Sequence, residues 1–258
     1  MEKQVSFFKQ FSIAIKSYGT ALSLLFENGL WIYLIYPVII SILLFAAEFY
    51  LLNHLYNSFT SEIYKWVGAE NPHSWINFFG GILHYFLWIG LQIIIFLLYY
   101  LFWKYIVLIL MSPVMSILSE KAETILTGKK YPFNAKQFLR NIVRGLGIVF
   151  RNMFFQILIL AASCFIIWIP VIGWLSPVFL LIISYYFYGF SLLDYISERR
   201  NLSVRESIEL VRRNKGLAIG NGFVFTLLFA IPFIGVVVST VLSPIAACVS
   251  ILEKENKI

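Results

Sequence analysis

Two stretches of this chain, 152–193 and 216–252, contain no Asp, Glu, Lys or Arg. A water-soluble domain carries about 25% charged residues, spread along its length, to keep its surface solvated. Blocks this long without charge must be buried in protein or lipid. The whole chain agrees with that constraint: of its 258 residues 60% are apolar and 13% charged, and 18% are aromatic. This excludes an ordinary soluble enzyme, a disordered chain and a disulfide scaffold. An integral membrane protein of one domain remains.

Charge gives the orientation. Lys and Arg total 20 against 13 Asp and Glu, a net charge of +7. The cations concentrate in two segments read as basic loops. The first, 119–151, carries Lys121, Lys136, Arg140, Arg144 and Arg151; the second, 194–215, carries Arg199, Arg200, Arg205, Arg212, Arg213 and Lys215. Cations flanking apolar runs mark cytoplasmic segments. Both basic segments and both termini are therefore expected in the cytoplasm, and 53–75, with one Lys and no Arg, outside. No continuous basic stretch suggests nucleic acid as a partner. Anionic lipid headgroups are the expected contact of the basic segments.

The elements follow from period and length. Residues 5–27 place Phe7, Phe8, Phe11, Ile15, Tyr18, Leu22 and Leu25 at helical spacing, with Lys9 and Lys16 off that stripe. This is either an amphipathic helix lying in the membrane interface or one packed on the protein. Residues 29–52 form a first membrane-spanning helix. Residues 76–118 form a second, longer than a bilayer is thick, with a belt of Tyr99, Tyr100, Trp103 and Tyr105 around Lys104. Each charge-free block must enter the membrane and return.

Both blocks turn on the same pattern. Ile169-Pro170-Val171-Ile172-Gly173 is followed by Ser176-Pro177, and Ile231-Pro232-Phe233-Ile234-Gly235 by Ser243-Pro244. Neither turn has a charge to expose to water. The leg 217–231 reaches roughly 22 Å as a helix, short of a ~30 Å hydrocarbon core, and the leg 154–169 is similar. Two re-entrant helical hairpins, 152–193 and 216–252, are expected. At such a tip the second leg starts inside the membrane, and its free N–H groups and positive dipole end suit an anion. Gly173, Ser176, Gly235 and Ser243 are then candidate binding residues, with Ser239 and Thr240 as further hydroxyls. The alternative is that Pro and Gly simply allow tight hairpin packing.

No catalytic or cofactor chemistry is visible. His54, His73 and His84 lack metal-ligand spacing, no nucleophile–base set appears, and Cys164 and Cys248 lie in apolar runs as buried thiols. Asp194 and Glu198, before Arg199-Arg200, read as an ion-paired cap or turn.

Several segments in succession resemble the CysZ family of sulfate permeases, grouped with the etoposide-induced membrane proteins. They are Gly29-Leu30 with Pro37, Ser112-Pro113-Val114-Met115 through Glu120-Lys121 to Leu126-Thr127-Gly128, the Ile169-Pro170 elbow, Leu193-Asp194-Tyr195, and Ile231-Pro232 through Ser243-Pro244 to Cys248. The resemblance spans most of 20–252. It implies an all-α membrane fold with two long transmembrane helices and two half-penetrating hairpins. It also implies homo-oligomers in the cell inner membrane and uptake of sulfate toward cysteine synthesis. It adds Gly29 and Leu30 to the candidate substrate-binding residues. In the family pattern an arginine follows this pair, whereas here Trp31 does. A rival reading is therefore a non-transporting membrane scaffold or envelope-homeostasis protein.

Overall fold

The computed structural model describes residues 5–44, 46, 47, 50, 106–129, 135–166, 172–231 and 234–256. The expected outer loop 53–75, residues 76–105 of the second span with their aromatic belt, and the elbow residues 167–171 and 232–233 lie outside the described residues. All regular structure among the described residues is helical. The elements are α1 (Phe7–Glu27), α2 (Leu30–Leu44, whose first turn Leu30–Leu34 is 3-10), α3 (106–127), α4 (Ala135–Ile166), α5 (Ile172–Arg199), α6 (Val204–Arg213), α7 (Lys215–Phe229) and α8 (Ile234–Lys254). The chain divides into two compact units, Met1–Val38 with Val107–Ile258, and Ile39–Ile106. In the second, Ile39, Ile42 and Leu43 expose their apolar side chains. The buried core among the described residues belongs to the first.

Two helices among the described residues are long and apolar enough to cross a membrane: Val178–Arg199 within α5, and α8. From Ser239 to Leu252, α8 is buried on every side, with α1, α5 and α7 packed against it. A helix apolar all round belongs inside a bundle. Outward-facing apolar groups, such as Phe150, Phe154 and Leu158 on α4 and Val178, Phe179 and Ile182 on α5, are what a lipid-facing surface requires.

Small residues set the packing. α7 is wedged between α5 and α1, and the backbones nearly touch. A Cβ at Gly222 would lie 1.8 Å from the Tyr185 carbonyl oxygen, and one at Gly189 would lie 1.7 Å from that of Ala218. On its other side, Gly220 meets Ala14 and Gly216 meets the Phe7 carbonyl. Lipid tails are as apolar as leucine, so close backbone packing, rather than hydrophobicity, holds such helices together.

α1 buries Gln10, Ala14, Ser17, Tyr18, Ala21, Leu24 and Leu25, and turns Phe7, Phe8, Ile15, Leu22 and Phe26 outward. The docked face joins the small residues Ala14, Ser17 and Ala21 to Tyr18 and Leu25 of the bulky stripe, while Phe7, Phe8, Ile15 and Leu22 of that stripe stay outside. Apolar periodicity picks out the bulky side of this helix, but close approach to a glycine-rich helix selects Ala and Ser.

The basic segments are not loops where described. Residues 119–127 end α3, and α4 already begins at Ala135. Arg140 and Arg144 stand four residues apart, so one helix carries them on one side. α4 is therefore no short leg, although its charge-free part, 152–166, spans only about 22 Å. In the second segment, 194–199 completes α5 and 204–213 forms α6. Ser203 caps α6 in a capping box: its hydroxyl accepts the Glu206 N–H at 3.3 Å, and Glu206 Oε2 accepts the Ser203 N–H at 2.7 Å.

Candidate functional site

α1 ends at Asn28, whose backbone N–H and side-chain amide both donate to the Leu24 carbonyl, at 3.2 and 3.3 Å. Gly29 follows with φ of 68°, a left-handed conformation that closes the helix and turns the chain into α2. Leu30 is buried in one apolar cluster with Tyr18, Leu25, Leu118, Leu242 and Ile245. Its side chain serves the core, and only its backbone is free for a ligand. Beside this turn lies a cavity of about 580 Å³, lined by Asn28, Leu30, Glu120, Lys121 and Thr124. The Lys121 ammonium sits 5.7 Å from the centre of the Tyr33 ring. Burial raises the Glu120 carboxyl above its ordinary pKa, against the opposing pull of Arg199 and Lys121.

At the second elbow the Gly235 N–H donates to the Ile231 carbonyl at 2.9 Å. A Cβ on Gly235 would stand 2.4 Å from the Leu228 carbonyl oxygen, so glycine lets α7 and α8 meet here. Ser239 and Thr240 donate back to the Val236 carbonyl at 3.3 and 2.7 Å, which occupies both hydroxyls within α8. Ser243 differs. It is fully buried, and its hydroxyl has no hydrogen-bond partner among the described residues. It lies near Tyr18, whose hydroxyl donates to the Asn221 carbonyl at 3.0 Å. Gly173 and Ser176 fall within the first five residues of α5, and the elbow before them is outside the described residues. The structure thus brings Leu30 and the neighbours of Ser243 into one core. No described contact joins Gly173 or Ser176 to them.

A buried ionic network lies elsewhere, where α3, α4, α5, α6 and α8 converge. Arg199 Nε donates to Glu123 Oε2 at 2.8 Å, and its Nη1 to Ser119 Oγ at 2.8 Å. Its Nη2 is 3.5 Å from Cys248 Sγ. Ser116 donates to Glu198, whose carboxylate is accommodated by the missing side chain of Gly145. Arg144 Nη2 donates to Asp194 Oδ1 at 3.1 Å, and the Ser207 hydroxyl donates to the same oxygen. Arg144 Nε and Nη1 find no acceptor among the described residues. Charges this deep are tolerated because they are paired and hydrogen-bonded. No group of acidic, histidine or cysteine residues suited to a metal ion occurs among the described residues.

A family model described as Sulfate transporter CysZ/Etoposide-induced protein 2.4 matches residues 17–239. The chain belongs to this family. Among its curated relatives are proteins named Sulfate transporter CysZ from two strains of Pseudomonas aeruginosa. Each is 22% identical over 226 residues, covering 85% of this chain and 86% of the relative. Another of that name, from Pseudomonas fluorescens, is 23% identical over 220 residues, or 83% of each chain.

Seen as a CysZ-family chain, the protein lacks the arginine expected after Gly29-Leu30, and Trp31 there is half exposed. The ionic network is what residue-by-residue reading missed. Asp194 and Glu198 are no turn but two successive contacts on one face of α5. A signal was present: Ser112, Ser116, Ser119 and Glu123 run at helical spacing along α3, whose first half is otherwise apolar, which is the mark of a polar stripe facing a polar partner.

Proposed function

We propose that the protein moves a small inorganic oxyanion, sulfate first among them, across the cell inner membrane toward cysteine synthesis. The observation that carries this reading is membership of a family in which relatives over most of the chain are named sulfate transporters. Three features of the chain support it. The Gly29 turn borders a cavity into which Lys121 brings positive charge. Arg144 keeps buried donors without acceptors among the described residues. Ser243 keeps a buried hydroxyl without a partner among them. Gly29 and Leu30 would offer backbone N–H groups, and Lys121 would stand in for the arginine replaced by Trp31. Gly173, Ser176 and Gly235 belong to the same reading as residues of the two re-entrant tips, 152–193 and 216–252. α1 would lie in the interface, both termini would face the cytoplasm, and a homo-oligomer would complete the pathway.

Purified protein in liposomes tests this by uptake of labelled sulfate, with sulfite, thiosulfate and phosphate as competitors. Saturable uptake that competitors reduce is expected; flux no greater than in empty vesicles sinks the proposal. Cysteines placed at Val171 and Phe233 test the tips. They should resist a membrane-impermeant thiol reagent, and ready labelling from the periplasmic side would replace the hairpins with full spans.

A second reading, a membrane scaffold that transports nothing, has its own support. The Gly235 N–H is already used by Ile231, and the guanidiniums of Arg144 and Arg199 in the buried network are already matched by the carboxylates of Asp194 and Glu123. That balance suits a clamp better than an anion site. A deletion strain that grows normally on limiting sulfate but has a leaky envelope would favour it.

A further inference from the structure

The groove where α1 starts and α6 hands over to α7 has features that transport does not use. It encloses about 620 Å³, and Gln10, Arg205, Glu209, Arg212, Arg213 and Lys215 supply its polar lining. Arg205 and Arg212 lie seven residues apart, on one face of α6, because Ser207 and Val211 of that helix turn inward. Glu209 is engaged by Arg213. Among the described residues no carboxylate pairs with Arg205, Arg212 or Lys215. The groove therefore holds a surplus of three positive charges.

Its wall is built rather than incidental. Gln10 is 6% exposed. Its Nε2 donates to the carbonyls of Val5 and Arg213, at 3.0 and 3.3 Å, and its Oε1 accepts the Gly216 N–H at 3.1 Å. One side chain thus ties the first turn of α1 to the end of α6 and the start of α7. The α6 capping box fixes the other end of the cationic face.

An apolar surface leads away from the groove. Phe7 lines it and is itself 43% exposed. Phe8, Ile15, Leu22 and Phe26 continue along the outward side of α1, with Phe8 82% exposed. Lys9 and Lys16 are carried on the same helix. A phosphate beside an apolar track is the chemistry of a phospholipid. Guanidinium forks match phosphate oxygens in pairs.

We propose that this groove binds the phosphate of an anionic phospholipid, whose acyl chains lie along the outward face of α1. The proposal concerns lipid retention and is independent of whether sulfate is carried. The full-length protein, in nanodiscs of mixed phosphatidylglycerol and phosphatidylcholine, is released and weighed by native mass spectrometry. Phosphatidylglycerol should remain bound in preference to phosphatidylcholine. Replacing Arg205, Arg212 and Lys215 by Gln should lower that retention roughly fivefold per cation removed. Arg140→Gln, an exposed cation of α4 outside the groove, should lower it less than the loss of any one groove cation. Glu209→Gln frees Arg213 and should raise retention, which keeps the test decisive if the triple variant folds poorly. Equal loss in Arg140→Gln, or no rise in Glu209→Gln, overturns the proposal. Release of the lipid by excess inorganic phosphate does so too, by making the groove a site for the free anion.

Discussion

Arg199 and Glu123 form a buried ion pair, Nε to Oε2 at 2.8 Å, with each side chain only 4% exposed. The pair links the end of α5 to α3, and Cys248 of α8 lies against the same guanidinium. Its energetic sign is uneven. Two charges lose their hydration when they meet, so the intact pair adds little net stability, but removing one member leaves the other unpaired at a cost of about 3–5 kcal/mol. Glu123→Gln should therefore lower the thermal melting point of the detergent-purified protein sharply. The double replacement Glu123→Leu with Arg199→Met should recover most of the loss. An unchanged melting point in Glu123→Gln would mean that the pair is not buried in the folded protein.

The glycines of α5 and α7 allow a sharper comparison. A Cβ at Gly222 has no room beside the Tyr185 carbonyl, which is backbone and cannot rotate away. Gly222→Ala must push α5 and α7 apart, at about 1–3 kcal/mol or more. Gly19, on α1, has nothing within 4 Å of the same position. There alanine only restores helix propensity and should stabilise by about 0.5–1 kcal/mol. Melting of the two variants in the same detergent should shift in opposite directions. Two shifts of the same sign would contradict the packing.

Much of this arrangement is legible in the chain. The charge-free blocks announce buried or membrane helices, and α7 ends close to the end of the 217–231 leg. Other features are hidden for a physical reason. Periodicity reports which residues share a face but not what that face meets. α1 reads as amphipathic by its bulky stripe, yet Ala14 docks because Gly220 opposes it, and Ser17 and Ala21 are buried on the same helix while Phe8 and Leu22 are not. Asp194 reads as a cap because its partners, Arg144 and Ser207, come from helices that only tertiary folding brings near. Ser243 stands out in the sequence only by its place after an elbow. The structure adds that its hydroxyl is unpartnered among the described residues, whereas those of Ser239 and Thr240 are taken.

The α6 capping box makes a pH prediction. Hydrogen bonds from the Ser203 hydroxyl and backbone N–H hold the Glu206 carboxyl below its ordinary pKa. A carboxylate with a depressed pKa in the folded state stabilises above its unfolded pKa, and the contribution fades as pH falls through the folded value. Protection of the first amides of α6, measured relative to their intrinsic exchange rate at each pH, should therefore be high at neutral pH and fall in acid. Glu206→Gln should exchange faster at neutral pH and lose most of that acid dependence. Ser203→Ala should also fray the helix at neutral pH, since a lost N-cap exposes the first-turn donors. If acid lowers that protection equally in the wild type and in Glu206→Gln, the box is not formed in solution.

The cavity beside Gly29 sets the last prediction, because Lys121 and Glu120 line it with opposite charge. An oxyanion entering there gains from the ammonium and is repelled by the carboxylate. Lys121→Gln should weaken sulfate binding, and Glu120→Gln should strengthen it, each by several-fold, as expected for one partly screened charge. Since burial raises the Glu120 pKa, protonation begins at a higher pH than for a free glutamate. Sulfate remains a dianion through that range, so wild-type binding should strengthen as pH falls. Glu120→Gln, already neutral, should lose this dependence while Lys121→Gln keeps it. Calorimetric titration of sulfate into the purified protein, repeated across mildly acidic to neutral pH, reads all three curves. If the slope with pH persists in Glu120→Gln, the anion does not sense this carboxylate. A Lys121→Gln protein that binds like the wild type would remove the cavity from the path altogether.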